Sequence, residues 1–276
     1  MVFLKKHSVT LALVLVALTG LGLIVYPAFS DWWNSFHQTR AVMSYAETVA
    51  NISSEEYDTI LNAAKVYNEE LSRTGILWKM TEEEEEKYLN QLNIDATGIM
   101  GYINIPKINV TLPIYHGTEE GILQTAIGHL EGTSLPVGGK GTHCVVSGHR
   151  GLPSARLFTD LDRMTEGDIW TMTVLDHTVT YEVDQIRVVE PSDLSELQIE
   201  EGKDYCTLVT CTPYGINTHR LLVRGHRIAD VQGEVRIAAD ALQIDPLYIA
   251  PFIAIPVLLL FIAAVFIFAD RRNKSR

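Results

Sequence analysis

Basic residues, cysteines and internal repeats are what this 276-residue chain has least of. Lys and Arg total 22 against 34 Asp and Glu, a formal net charge of −12. Phosphate recognition is supplied mainly by basic side chains, so the balance argues against a nucleic-acid partner. Solubility at a crowded surface is reason enough for the acidity. Three cysteines, an odd number, do not make a disulfide framework. Charge is missing altogether from two runs, 8–30 and 246–269. Each can cross a hydrocarbon core of about 30 Å as a helix of roughly 20 residues. Lys5 and Lys6 precede the first run, and Arg271, Arg272, Lys274 and Arg276 follow the second. Positive-inside bias puts both ends in the cytoplasm and the intervening domain outside. The first run also has the make-up of a cleaved signal peptide. Its length, and the lack of a small-X-small site before Asp31, favour a retained anchor.

Between the two runs the pattern changes character. Val42, Tyr45 and Val49, then Tyr57, Ile60, Leu61, Ala64, Tyr67 and Leu71, recur at helical spacing. This predicts two helices broken around Asn51-Ile52-Ser53-Ser54, with Ser53 or Ser54 capping the second. Thr81-Glu82-Glu83-Glu84 reads as a capping box opening a short acidic helix over 82–92. The tandem Trp32 and Trp33 suit either an interfacial belt or packing on the domain. From Gly98 onward, short β-branched stretches alternate with turns. They predict strands at 101–105, 110–115, 143–147, 168–174, 178–189, 205–210 and 220–227, with helical turns near 124–127 and 155–163. Many short strands with few helices argue a mainly β barrel or sandwich. The chain thus divides into a cytoplasmic N-terminus (1–7), a transmembrane helix (8–30), a helical segment (31–97) and a β domain (98–230). A linker (231–246), a second transmembrane helix (247–269) and a basic cytoplasmic tail (270–276) follow.

The chemistry concentrates in Thr207-Leu208-Val209-Thr210-Cys211-Thr212-Pro213-Tyr214. The run alternates like a strand until Pro213, which donates no ladder hydrogen bond, and Gly215, which tolerates turn dihedrals. Cys211 therefore sits at a strand exit, and Arg220 opens the return strand. A second apolar strand beginning at Cys144 leads to His149. An accessible thiol, a guanidinium that favours thiolate and an imidazole that titrates near neutrality form a nucleophilic set. Taken alone, Cys211 reads equally as a small buried hydrophobe. Arg150, Arg224 and Arg227 rival Arg220. Cys206, Cys211, His219 and His226 are zinc-ligand types, but their spacing fits none of the usual pairs, and neither metal nor cofactor is expected.

Thr207-Leu208-Val209-Thr210-Cys211 resembles the Thr-Leu-X-Thr-Cys signature of the sortases. Ser147-Gly148-His149-Arg150-Gly151-Leu152-Pro153, Tyr102-Ile103-Asn104-Ile105-Pro106 and Gly128-His129-Leu130-Glu131-Gly132-Thr133-Ser134 are similar to the class C, pilin-polymerising branch. The resemblance implies a closed sortase-type β-barrel with short connecting helices. It implies a Cys211 nucleophile, His149 as acid and base, and Arg220 as oxyanion or substrate donor. It further implies cleavage of a Leu-Pro-X-Thr-Gly-like signal between Thr and Gly, with transfer to a lysine amine of another pilin at the outer face of a Gram-positive membrane. The branch often carries a lid anchored by an Asp-Pro-aromatic motif. Residues 72–80 lack that motif and offer Trp78 as a plug or a packing residue. The sortase barrel sets the two key strands parallel, so Cys144 and Cys206, five residues before His149 and Cys211, are expected as neighbours on the opposite face. They are free thiols or a disulfide, and the narrow geometry of a disulfide favours thiols. A housekeeping sortase anchoring proteins to peptidoglycan, a thiol endopeptidase and a non-catalytic scaffold for pilins stay open.

Overall fold

The computed structural model describes residues 8–230. The expected N-terminal tail 1–7, linker 231–246, second span 247–269 and basic tail 270–276 lie outside the described residues. The chain divides into two compact units between Trp33 and Asn34.

Helix α1 runs from Ser8 to Ala50. Its N-terminal part is long and apolar enough, by length and composition, to cross a bilayer. The sequence pattern separates an apolar span ending at Ser30 from a helical segment starting at Asp31, yet the helix continues through this point. Composition changes there, but neither Gly nor Pro occurs between Ala28 and Ala50 to interrupt the backbone ladder. Within the first unit, Phe29 packs against Trp32 and Trp33, with ring centroids 5.8 Å and 6.4 Å away.

Helix α2 (Ser54–Thr74) begins where the pattern puts it. The Ser53 hydroxyl accepts from the Glu56 N–H, satisfying one of the first-turn donors. Its apolar stripe, Leu61, Ala64, Tyr67 and Leu71, is buried. The buried Asn68 amide exchanges hydrogen bonds with the Leu135 backbone, donating at 3.0 Å and accepting at 2.7 Å. Helix α3 (Glu82–Leu89) opens on the expected Thr81–Glu84 capping box and ends three residues earlier than the pattern suggests.

Eight strands follow: β1 (Ile99–Ile105), β2 (Val110–His116), β3 (Ile127–His129), β4 (Thr142–Ser147), β5 (Ile169–Val174), β6 (His177–Val189), β7 (Asp204–Thr212) and β8 (His219–Ile228). They close into a barrel in the order β1-β2-β3-β4-β7-β8-β6-β5. Closure removes every free sheet edge, so all backbone donors on the strands can pair. The pairs β2–β3 and β4–β7 are parallel. A one-turn helix α4 (Glu120–Leu123) lies in the crossover from β2 to β3. The pattern misses β3, whose three residues are too few to show an alternation. The barrel core includes Trp170 stacked on Tyr181, with Ile103, Ile127, Val146, Leu208 and Val223 fully buried. A smaller cluster of Val145, Leu197 and Leu222 covers the outside of β4, β7 and β8.

Candidate active site

The geometry of the site follows from pleating on β4, β7 and β8. Along β7, Cys206 and Leu208 join the barrel core, whereas Val209 packs on the outer cluster. Side chains alternate faces, so Cys211 projects outward with Val209. Cys211 lies directly opposite Arg220 on β8, one step beyond the pairs Val209↔Leu222 and Thr210↔Leu221. Directly opposed residues share a face, with Cβ atoms roughly 4.5–5.5 Å apart. The outer position of Val209 and Leu222 thus carries over to Cys211 and Arg220. Each of the buried outer side chains contributes about 1.5–3 kcal/mol to holding the three strands together.

Strand β4 ends at Ser147, two residues before His149, and its parallel ladder is prolonged by the Gly148 N–H donating to the Val209 carbonyl at 3.0 Å. A Cβ on Gly148 would stand 2.8 Å from both Ile127 and Phe158, so this residue faces the core and only glycine fits it. His149, the next residue, is turned outward and is half-buried. Both threonines of the Thr-Leu-X-Thr-Cys stretch have structural work here. The Thr210 hydroxyl donates to the Gly148 carbonyl at 2.8 Å, fixing the start of the His149 loop. The Thr207 hydroxyl meets His143 Nε2 at 2.8 Å, while His143 Nδ1 donates to the Gln198 carbonyl at 2.8 Å. These partners suit a neutral ring, and burial depresses the His143 pKa to about 4.

The rival arginines separate by their partners. Arg224 binds the Asp184 carboxylate through two nitrogens at 3.0 and 3.1 Å and sits 4.2 Å from the Tyr205 ring centre. Arg227 pairs with Asp230. Arg150 pairs with Asp162 and donates to Thr212 Oγ1 at 3.3 Å. Among the described residues, Arg220 donates to two backbone carbonyls where the turn enters β8, Asn217 at 3.4 Å and His219 at 3.2 Å. Among these four guanidiniums it alone has no carboxylate partner within the described residues. Tyr214 bridges the two loops: its ring lies 5.8 Å from the Arg150 guanidinium and would be 2.9 Å from a Cβ on Gly151.

Two further expected features concern the Trp78 segment and the remaining cysteines. The segment bearing Trp78 is fastened by the Leu77 N–H to the Gly132 carbonyl at 3.0 Å. Gly132 is on the β3–β4 connection, close to Ser134, whose N–H donates to His143 near the start of β4. Trp78, the residue after Leu77, has an exposed side chain. Cys144 and Cys206 are register partners in the β4–β7 ladder, both buried and free. Burial pushes the Cys144 thiol pKa well up, with Cys206 beside it adding to the shift. The Cys206 thiol contacts Met172 sulfur at 3.4 Å. Because Cys206 points into the barrel and Cys211 out of it, the two cannot share a zinc ion with His219 and His226.

The sequence offers no carboxylate near His149 within its own motif, but the tertiary structure does. Glu120 Oε2, at the start of α4, stands 3.8 Å from His149 Nε2. Nothing in the local pattern could reveal it, since the two residues are brought together only by the pairing of β3 with β4.

A half-buried thiol, a guanidinium and an imidazole at one end of a closed eight-stranded barrel define a cysteine acyl-transfer enzyme. Residues 103–228 match the Sortase domain family model. A sortase C1 of Streptococcus agalactiae is 59% identical and superposes with a TM-score of 0.69 over 70% of this chain and 100% of that one. Clostridium perfringens sortase C, solved with the C-terminal cell wall sorting motif, is 43% identical, with a TM-score of 0.62 over 70% of this chain and all of that one. Sortase D of Bacillus subtilis is 29% identical over 46% of this chain and 63% of its own length. The chain belongs to the sortase family of cysteine transpeptidases, and its structural neighbours at high identity are class C sortases.

Proposed function

We infer that the protein is a membrane-anchored pilin polymerase whose reaction passes through Cys211. The Cys211 thiolate attacks the Thr carbonyl carbon of a Leu-Pro-X-Thr-Gly-like sorting signal. The resulting oxyanion collapses, the Thr–Gly C–N bond breaks, and His149 delivers a proton to the departing amine. A thioester to Cys211 remains. A lysine amine of another pilin then attacks it, His149 takes up the amine proton, the isopeptide bond forms and the thiolate returns. Arg220, charged throughout, donates to the oxyanion or the substrate backbone and favours thiolate over thiol.

The observation that carries this reading is the direct cross-strand pairing of Cys211 with Arg220 on the outer face, where the arginine has no carboxylate partner among the described residues. Residues 98–230 form the catalytic domain on this reading. Helix α1 serves as the anchor, with the domain outside the membrane and both termini in the cytoplasm. The sorting motif bound to the Clostridium perfringens neighbour supports the substrate class.

The test uses the full chain in detergent with a fluorogenic Leu-Pro-X-Thr-Gly peptide, with and without a pilin subunit carrying the acceptor lysine. A Cys211-dependent covalent pilin product is expected, absent in Cys211→Ala. Cleavage without adduct in the presence of pilin turns the assignment to a hydrolase or to an anchoring sortase that uses a peptidoglycan amine. Absence of any Cys211-dependent reaction defeats it.

A further inference from the structure

We propose that Glu120 is the positioning residue for His149, holding imidazole Nε2 so that Nδ1 is the nitrogen left to exchange protons during acyl transfer. The proposal rests on the transpeptidase reading above and adds a member to its machinery.

Glu120 reaches His149 for a topological reason. Strand β3 runs antiparallel to β4, with Gly128 opposite Ser147, so the residues just before β3 arrive beside those just after β4. Helix α4, a few residues before β3, thereby meets the His149 loop. The exposed Glu120 carboxylate is held at one oxygen and aimed with the other: Gln124, one turn on, donates its side-chain amide to Oε1, and Oε2 faces His149 Nε2 at 3.8 Å. That distance is ion-pair range, and catalytic contacts of this kind are often long until substrate binds.

The mount is fixed from a second side. Helix α1 donates from Gln38 to the Thr125 carbonyl at 2.6 Å, next to Gln124. One turn earlier, Asn34 donates to the Ser154 carbonyl at 2.7 Å, on the loop that carries His149. Two amides of one helix, four residues apart, thus tie together the segments bearing Glu120 and His149. A surface ion pair of no consequence needs neither the Gln124 contact nor this clamp. Of the charged groups on the flanking elements, Arg150 is paired with Asp162, Arg156 with Asp160, and Arg220 lies at the head of β8, while Glu119 and His37 flank the site from α4's start and from α1.

A carboxylate facing Nε2 stabilises the imidazolium that forms as His149 takes the proton from the incoming amine, and it fixes the ring rotamer. Glu120→Gln keeps the shape and removes the charge. In the full chain in detergent, with histidine-selective labelling and His149→Asn to assign the signal, the His149 ring resonances of Glu120→Gln should move from their wild-type positions while those of the other histidines stay in place. Peptide-signal turnover should fall about tenfold in kcat with KM unchanged, a part of the roughly 10²–10⁴ that a positioned acid–base group supplies. Glu120→Asp should recover some of both, and the thermal midpoint of Glu120→Gln should match wild type. Glu120→Gln ring resonances and kcat superimposable on wild type, with turnover still lost in Cys211→Ala, overturn this proposal alone. A wild-type chain without Cys211-dependent turnover overturns the transpeptidase reading instead, and the ring resonances then judge the positioning contact by themselves.

Discussion

Arg220 illustrates how little a residue's neighbours in sequence say about its availability. Four arginines compete for one role, and three are spent on Asp162, Asp184 and Asp230. The fourth keeps its charge beside Cys211 and rests on two turn carbonyls. Lysine keeps the charge but loses the planar fork that can serve two acceptors at once. Arg220→Lys should therefore lower kcat/KM about 10²–10³-fold, the range for removing one oxyanion donor, with an unchanged melting midpoint. Near-wild-type turnover in that variant would remove Arg220 from the oxyanion assignment. Thr210 makes a related point. Its hydroxyl sits one residue before Cys211 but acts on the other strand, through the Gly148 carbonyl, so the motif couples the Cys211 and His149 loops.

At the scale of elements, the barrel is built to hold those loops and the helices are built to brace the barrel. Tyr45 on α1 is the clearest brace. Its hydroxyl donates to the Met100 carbonyl at 3.0 Å on β1 and accepts from the Leu175 N–H at 2.8 Å just after β5. Burial raises the Tyr45 pKa far above its ordinary value, so the donor is never lost at working pH. Tyr45→Phe leaves two buried backbone groups without their partner. The expected cost is about 2–4 kcal/mol, read as a fall of roughly 5–15 °C in the thermal midpoint. A fall under about 2 °C would mean that water or a shifted loop replaces the hydroxyl. Tyr88 on α3 acts similarly, with its hydroxyl 3.0 Å from both His129 Nδ1 and the Gly117 N–H.

For the whole molecule, the buried histidines set how folding responds to acid. His129 and His143 each have a hydrogen-bond partner for both ring nitrogens that suits the neutral form, and burial lowers both pKa values to about 4. Half-buried His177 is lowered in the same direction. Above roughly pH 6.5 folded and unfolded chains alike keep these rings neutral, and they contribute nothing to the pH dependence. Between about 6.5 and 4 the unfolded chain binds protons that the native state refuses, so stability is lost as pH falls and the loss levels off below about 4. His129 and His143 each account for roughly 3 kcal/mol at full development. Asp204 works the other way, since its desolvated carboxyl is raised and favours the native state as it protonates. The urea midpoint should fall steadily from pH 7 to pH 4.5, and replacing His143 by Asn should flatten that slope. A midpoint indifferent to pH over this range would mean the two rings are not held neutral.

The sequence by itself determined the elements whose physics is local. The Ser53 cap, the Thr81–Glu84 capping box, the strand ending at Pro213 and the return strand opened by Arg220 follow from one or two turns of chain. It also carried the family, because the Thr207–Cys211 stretch and the His149 segment are long ordered motifs rather than isolated residues. Helix continuity through Asp31 and the short strand β3 were not legible. In the first a change in composition imitates a boundary, and in the second three residues have no period. Only the tertiary structure decided which of the four rival arginines has no carboxylate partner among the described residues, where the segment bearing Trp78 is fastened, and that Glu120 stands at His149. Each depends on which strands become neighbours when the barrel closes, and a contact between residues 29 positions apart leaves no mark on either local pattern.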